Sequence, residues 1–245
     1  MNILIIGDSH TAQISKSLNI KSIPEGLKVS TITASNPIIT KLKIRDGFLY
    51  LAPNNTSWGH KTISDDKLAV MYDITSQMIF NEQGNERLDL SVYDSIIVYG
   101  GQLIGHDMWV RYTQTDKYSE ALLVSLCEDL ISNSQHVRII REIKQSNLTD
   151  FRLISMNEPL VNELWEAYLN KIPETANFSS VINIFKQALS NIGSEFIPLP
   201  DSLLSGCGRA TNQLYKTPRD NDFAHLNSEG GDLVTDFIFN LFDPK

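Results

Sequence analysis

The chain has 245 residues, 42% of them hydrophobic and 20% charged, which is enough apolar material for one substantial core and too ordinary a charge content for a disordered chain. Its formal net charge of -8, with no cluster of Lys or Arg, argues against nucleic-acid binding and against docking on an anionic membrane. No apolar stretch approaches the roughly 20 residues needed to span a bilayer, and the two cysteines, Cys127 and Cys207, make no disulfide framework.

Five short Ile/Val/Leu-rich runs read as strands buried on both faces: Asn2–Ile6, Lys28–Thr33, Ser95–Tyr99, Arg152–Met156 and Ser194–Ile197, the last stopped by Pro198. Ile14 and Leu18 place a helix after the first of them. Four-residue spacing of apolar side chains predicts further helices through Leu122, Leu126 and Leu130, with Leu123, Cys127 and Ile131 beside them. The same spacing runs through Leu160, Leu164 and Tyr168, and through Val181, Phe185 and Leu189. It ends in a broad stripe of Leu233, Val234, Phe237, Ile238, Leu241 and Phe242. Alternating strands and helices imply crossover units and a mostly parallel sheet with helices on both sides.

From about Lys41 to Leu90 this rhythm breaks. The segment reads as an insertion of short extended pieces with room for a hairpin, Lys67–Tyr72 among them, and not as a second domain. Residues 1–245 are therefore expected to form a single domain. Met1-Asn2 leads into the first strand without a basic leader, and the expected location is cytoplasmic.

The first strand runs into Gly7-Asp8-Ser9-His10. In a parallel sheet, ligands meet the protein at the carboxyl ends of the strands. A serine there, ahead of a helix N-terminus, can attack a carbonyl if a base removes its proton. Near the other end of the chain stands Asp222-Phe223-Ala224-His225, directly before the final helix. One tight turn can join that carboxylate and imidazole, leaving the other ring nitrogen for Ser9, which is the arrangement of a catalytic triad.

Gly7-Asp8-Ser9 after the first strand, with Asp222-x-x-His225 before the last helix, resembles the SGNH (GDSL-type) hydrolases. The resemblance implies a three-layer α/β/α fold with a flavodoxin-like, five-stranded parallel sheet, and acyl transfer through a serine ester. It makes Ser9 the nucleophile, His225 the general base and acid, and Asp222 the residue that orients it. The Ser9 backbone N–H would be one oxyanion donor. The family's usual glycine after the second strand is missing, since the chain reads Thr33-Ala34-Ser35-Asn36, and Gly100-Gly101-Gln102 stands where Gly-x-Asn is expected. Gln102, beside Gly100, and a backbone N–H near Ser35 and Asn36 are the expected further donors, because a glutamine amide can donate the same bond from one methylene further out. The Gly-Asp-Ser-His form is similar to modules of bacterial carbohydrate O-acyltransferases, which implies short acyl esters of sugars as substrates. His10 and Tyr99 are expected to line the cleft, and Trp58 and Trp109 are further aromatic candidates. Neither metal nor redox cofactor is expected.

Other readings attach to the same residues. Ser9 in a strand-end turn can simply cap a helix, and Asp222 or His225 can cap the last one. Asp8-x-His10 resembles the opening ligand pair of metal-dependent phosphoesterases, and Gly105-His106-Asp107 resembles a later block of that family. An SGNH-like module that binds a saccharide without turnover is a further alternative. A dinucleotide site is disfavoured, because the second and third glycines of its fingerprint are absent. His60, His106 and His136 show no partner spacing that demands chemistry; Cys127 reads as a core thiol, and Cys207 has no assigned role.

Overall fold

The computed structural model describes residues 1–53, 63–100, 117–157, 161–162, 178–204, 210–211, 215 and 225–242. In chain order its strands are β1 (Asn2–Gly7), β2 (Lys28–Thr33), β3 (Leu42–Arg45), β4 (Phe48–Leu51), β5 (Arg87–Asp89), β6 (Ser95–Gly100), β7 (Arg152–Asn157), β8 (Val161–Asn162), β9 (Glu195–Phe196) and β10 (Ala210–Thr211). The helices are α1 (Thr11–Leu18), α2 (Asn36–Ile39), α3 (Asp65–Gln83), α4 (Glu120–Ser132), α5 (Gln135–Gln145), α6 (Phe178–Asn191) and α7 (Ser228–Phe242).

The central sheet has the order β2-β1-β6-β7-β9, and every pairing in it is parallel. Renumbered within the sheet, that order is 2-1-3-4-5, the flavodoxin-like arrangement. The period-two alternation of strand side chains splits the core into two layers. Leu4 and Ile6 join Ile32, Ile96, Val98 and Leu153 under Ile79 of α3, Cys127 of α4, Ile140 of α5 and Phe185 of α6. Ile3 and Ile5 join Ile97, Tyr99, Ile154 and Met156 under Ile14 of α1 and Val234 of α7. Helices therefore cover both faces of the sheet, giving the expected three layers. Cys127 is fully buried in the first of these layers, as a core thiol.

The predicted insertion contains the hairpin for which the sequence left room. β3 and β4 pair antiparallel with Arg45 opposite Phe48. The two-residue turn between them has Asp46 at φ 53° and Gly47 at φ 82°, the left-handed pair that an Asp-Gly turn adopts most readily. Lys67–Tyr72, expected to be extended, is helical instead, within the 19 residues of α3. Its apolar and β-branched run hid a helix that buries Leu68, Thr75 and Ile79 on one side and stops at Gly84, φ 68°. α5 was also absent from the sequence reading. Ser134 caps it, accepting from the Val137 N–H at 3.1 Å, and it buries His136, Val137, Ile139, Ile140 and Ile143. The predicted helix through Leu160, Leu164 and Tyr168 lies outside the described residues. No helix among the described residues is long and apolar enough to cross a membrane.

One packing contact joins the two ends of the chain. α1 lies against α7 at Gly231, where a Cβ would come within 2.7 Å of Gln13 Cβ and 2.9 Å of the Gln13 carbonyl oxygen. Below that contact, Ser17 Oγ donates to Asp232 Oδ1 at 2.5 Å and Lys21 Nζ donates to Asp236 Oδ1 at 2.6 Å. The exposed Lys21–Asp236 pair contributes little, whereas the close backbone approach is a strict steric demand. Gly231→Val is expected to lower unfolding free energy by about 1–3 kcal/mol through overpacking. Denaturant titration of the variant against wild type measures this, and an unchanged midpoint would contradict the packing argument.

Candidate active site

Ser9 sits at the carboxyl edge of the sheet, in the turn between β1 and α1. Three features fix that turn. At Gly7, a Cβ would lie 1.9 Å from the Tyr99 carbonyl oxygen and 2.4 Å from Thr11 Cγ2, so only glycine lets β1 turn beside β6. Asp8 Oδ1 accepts from the His10 N–H at 3.0 Å, closing a loop around Ser9. Thr11 Oγ1 donates to the Asp8 carbonyl at 2.7 Å and lies 2.7 Å from Thr33 Oγ1, tying the turn to the end of β2.

His225 comes from the far end of the sequence and stands three residues ahead of α7. Asn227 holds the chain there: its N–H donates to the Tyr215 carbonyl at 2.8 Å, and its side-chain oxygen accepts from the Gly230 N–H at 2.9 Å. Asn227 is thus the residue that caps α7, and the His225 side chain turns elsewhere. Its Nε2 lies 2.8 Å from Ser9 Oγ. Both residues are half-buried. The capping alternative for Ser9 is not realised either, because the N-cap position of α1 is His10, with no side-chain cap bond.

The His10 ring packs against the His225 ring, with centroids 4.8 Å apart and planes tilted by 32°. His10 is 9% exposed, so it buttresses the histidine pair more than it lines an open cleft. Tyr99 requires a correction. It was expected to offer a face to substrate, but it is fully buried in the core layer beneath α1 and α7, where the strand alternation points it.

Of the expected oxyanion donors, the Ser9 backbone is described and lies in the turn. Ser35 and Asn36 stand just past the end of β2, which pairs Thr33 with Gly7, and so share the sheet edge with Ser9. Ser35 is the N-cap of α2; its hydroxyl donates to Met71 Sδ at 3.3 Å, and its carbonyl accepts from the Ile38 and Ile39 N–H groups. Gly100 ends β6 next to Asp8, and a Cβ there would sit 2.0 Å from His136 Nε2 and 3.0 Å from Asp8 Cγ. Asp222, Gln102, Trp58, Trp109, Gly105-His106-Asp107, His60 and Cys207 lie outside the described residues.

His136, given no role from sequence, stands directly behind this turn. Its Nε2 lies 3.5 Å from Asp8 Oδ2, and both side chains are almost entirely buried. Burial pushes the His136 imidazole below its usual 6.5; the Asp8 carboxylate opposes this, His10 reinforces it, and a Tyr99 backbone hydrogen bond opposes it. The available signal was the apolar period of α5, with Val137, Ile140 and Ile143 marking the face that carries residue 136 inward. Asp8 and His10, the pair behind the phosphoesterase alternative, are engaged within the fold, Asp8 by the His10 N–H and His136. Among the described residues no group of three or more His, Cys, Asp or Glu is arranged to hold a metal ion.

The lowered His136 pKa has a defined consequence. The unfolded chain takes up this proton near 6.5, whereas the folded chain resists it until a lower pH. The stability contribution is therefore intact above 6.5 and lost as pH falls from there toward the folded value. Glu195 is held below its usual 4.5 by the Arg152 guanidinium, so it stays ionised between pH 7.5 and 5.5. Denaturant midpoints at pH 7.5 and 5.5 are expected to fall for wild type and to converge for His136→Asn; equal pH dependence in both would contradict this.

No family model matches the chain, and no curated protein matches it. Among solved structures it is similar to the periplasmic domain of a lipopolysaccharide acetyltransferase from Salmonella ser. Paratyphi A, at 18% identity and TM-score 0.38, covering 98% of this chain and 82% of that one. It is similar to a lipase from a goat rumen metagenome at 14% identity and TM-score 0.43, covering 99% and 97%. It is also similar to an extracellular lipase from Streptomyces rimosus at 13% identity and TM-score 0.44, covering 98% and 99%. These likenesses are distant, and the chemistry of the site rests on its own geometry. That geometry is a flavodoxin-like parallel sheet whose first strand delivers Ser9 to a histidine placed just before the last helix.

Proposed function

We propose that the chain is a serine ester hydrolase or O-acyltransferase acting on short, acetyl-type esters of a carbohydrate through an acyl-Ser9 intermediate. The observation that carries this reading is the 2.8 Å contact between Ser9 Oγ and His225 Nε2. That distance suits direct proton transfer from hydroxyl to imidazole.

With its proton on Nδ1, His225 accepts the Ser9 hydroxyl hydrogen bond at Nε2. As Oγ adds to the ester carbonyl, the Ser9 hydroxyl proton passes to Nε2 and negative charge gathers on the carbonyl oxygen. The imidazolium then returns the proton to the departing alcohol, leaving the acyl group on Oγ. Water or a sugar hydroxyl next gives its proton to Nε2 and attacks the acyl carbon; the bond from acyl carbon to Oγ then breaks, Nε2 returns the proton to Oγ, and the acid or new ester leaves a restored Ser9. Asp222 is assigned the Nδ1 proton, holding the tautomer this cycle needs. The Ser9 N–H, a backbone N–H at the start of α2, and Gln102 are assigned to the oxyanion, where one donor is typically worth about 3–4 kcal/mol.

The hydroxyl-to-imidazole contact favours turnover over a module that only binds saccharide. The sugar ester rests on the Gly-Asp-Ser-His resemblance.

A fluorophosphonate is expected to label wild type but not Ser9→Ala, and His225→Ala is expected to be slowed about a thousandfold or more. Equal labelling of wild type and Ser9→Ala would remove Ser9 from the chemistry. Hydrolysis of nitrophenyl acetate with and without a saccharide acceptor separates the two fates of the acyl enzyme. Acetylated sugar is expected at the cost of free acetate; release of nitrophenol with no acetyl-sugar under any acceptor tried would contradict transferase action.

A further inference from the structure

We propose that Asp8 and His136 form a buried clamp that holds the turn carrying Ser9 in its reactive shape, with His136 a positioning residue acting through Asp8. The proposal rests on the reading of Ser9 as nucleophile. Each carboxylate oxygen of Asp8 has its own neighbour. Oδ1 accepts from the His10 N–H at 3.0 Å, which spans Ser9, and Oδ2 faces His136 Nε2 at 3.5 Å. His136 Nε2 is fully buried, with no closer hydrogen-bond partner among the described residues. A buried ring nitrogen left so is costly; with the single ring proton on Nε2, a small tightening toward the Asp8 carboxylate completes the bond. Such contacts are often long before substrate binds and shorten afterwards.

The surroundings are shaped for this approach. Gly100 leaves open the space that any side chain would fill, since a Cβ there would meet both His136 Nε2 and Asp8 Cγ. The helix bearing His136 is braced from outside the site. Arg138 donates to the Ile39 carbonyl at 2.8 Å and to Glu142 Oε1 at 2.6 Å, while Glu142 Oε2 accepts from the Ile44 N–H at 2.8 Å. α5 is thereby fixed to α2 and β3, and it carries the His136 ring to 3.5 Å from Asp8. His136 thus links a helix anchored on the insertion to the nucleophile turn, beside the separate link from Thr75 through Thr33 to Thr11.

The test compares His136→Gln, which keeps an N–H donor, with His136→Met, similar in length and without one. The rate of fluorophosphonate labelling, kcat and KM for nitrophenyl acetate, and hydrogen exchange of the His10 amide are measured on folded protein. The clamp predicts that His136→Met lowers the fluorophosphonate labelling rate and kcat together by about tenfold or more, leaves KM nearly unchanged, and speeds His10 exchange. His136→Gln is expected to recover most of both effects, and Asp8→Asn combined with His136→Met to be little worse than either alone. Wild-type rates and exchange in His136→Met would overturn the proposal, as would a glutamine no better than methionine. If wild type is not labelled at all, the nucleophile reading fails instead. The clamp is then judged by His10 exchange alone, protected in wild type and released in His136→Met if it exists, unchanged if it does not.

Discussion

The close approach of α1 to α7 at Gly231 is the constraint on which the site depends. Ser9 stands just ahead of α1 and His225 just ahead of α7, more than two hundred residues apart in sequence. Neither turn alone brings hydroxyl and imidazole together. They meet because two helices pack side by side on the same face of the sheet, at a point where one residue has no side chain to hold them apart. Interiors packed at crystal density transmit such a displacement with little loss, so a methyl-sized wedge between the helices moves the reacting atoms.

A second constraint acts within the turn. Gly7 permits a backbone contact with Tyr99 that no other residue allows, and Asp8 then closes the chain around Ser9. The Thr11–Thr33 contact and the brace of α5 tie this turn to its neighbours. The nucleophile thus sits on a tightly tied loop, and the buried His10 ring packed against the half-buried His225 ring closes one side of it. The same packing makes Tyr99 a core residue. A large aromatic at a strand end is as useful for filling the layer under two helices as for meeting a ligand, and here the alternation of β6 decides the matter.

Much of this was legible in the sequence because it depends on short-range pattern. β1, β6 and β7 follow from short apolar runs buried on both faces, β2 from Val29 and Ile32, and β9 from the apolar pair Phe196-Ile197 stopped by Pro198. Ser9 stands out because a polar cluster ends the first strand at the carboxyl edge of the sheet, and His225 because Asp222-x-x-His225 stands directly before the last helix. The contact between them was an inference from topology, not from either segment. α3 was misread because Val70, Met71 and Tyr72 form a local apolar run, while the residues that bury it, Leu68, Thr75 and Ile79, are spread over three turns. α5 went unread because its polar residues, Arg138, Arg141 and Glu142, mask a strongly one-sided helix. With α5 unread, His136 had no face, and its meeting with Asp8 was invisible. That contact needs a missing side chain at Gly100 and a helix docked from another part of the chain, neither of which has a sequence period.

The most direct measurement is a crystal structure of the protein after reaction with a fluorophosphonate. The account predicts phosphonate density joined to Ser9 Oγ, with the His225 ring beside it and Nε2 in hydrogen-bonding reach of the adduct. Density on any other side chain, or a modified Ser9 with His225 turned away and no nearby movement able to bring it back, would contradict the central claim.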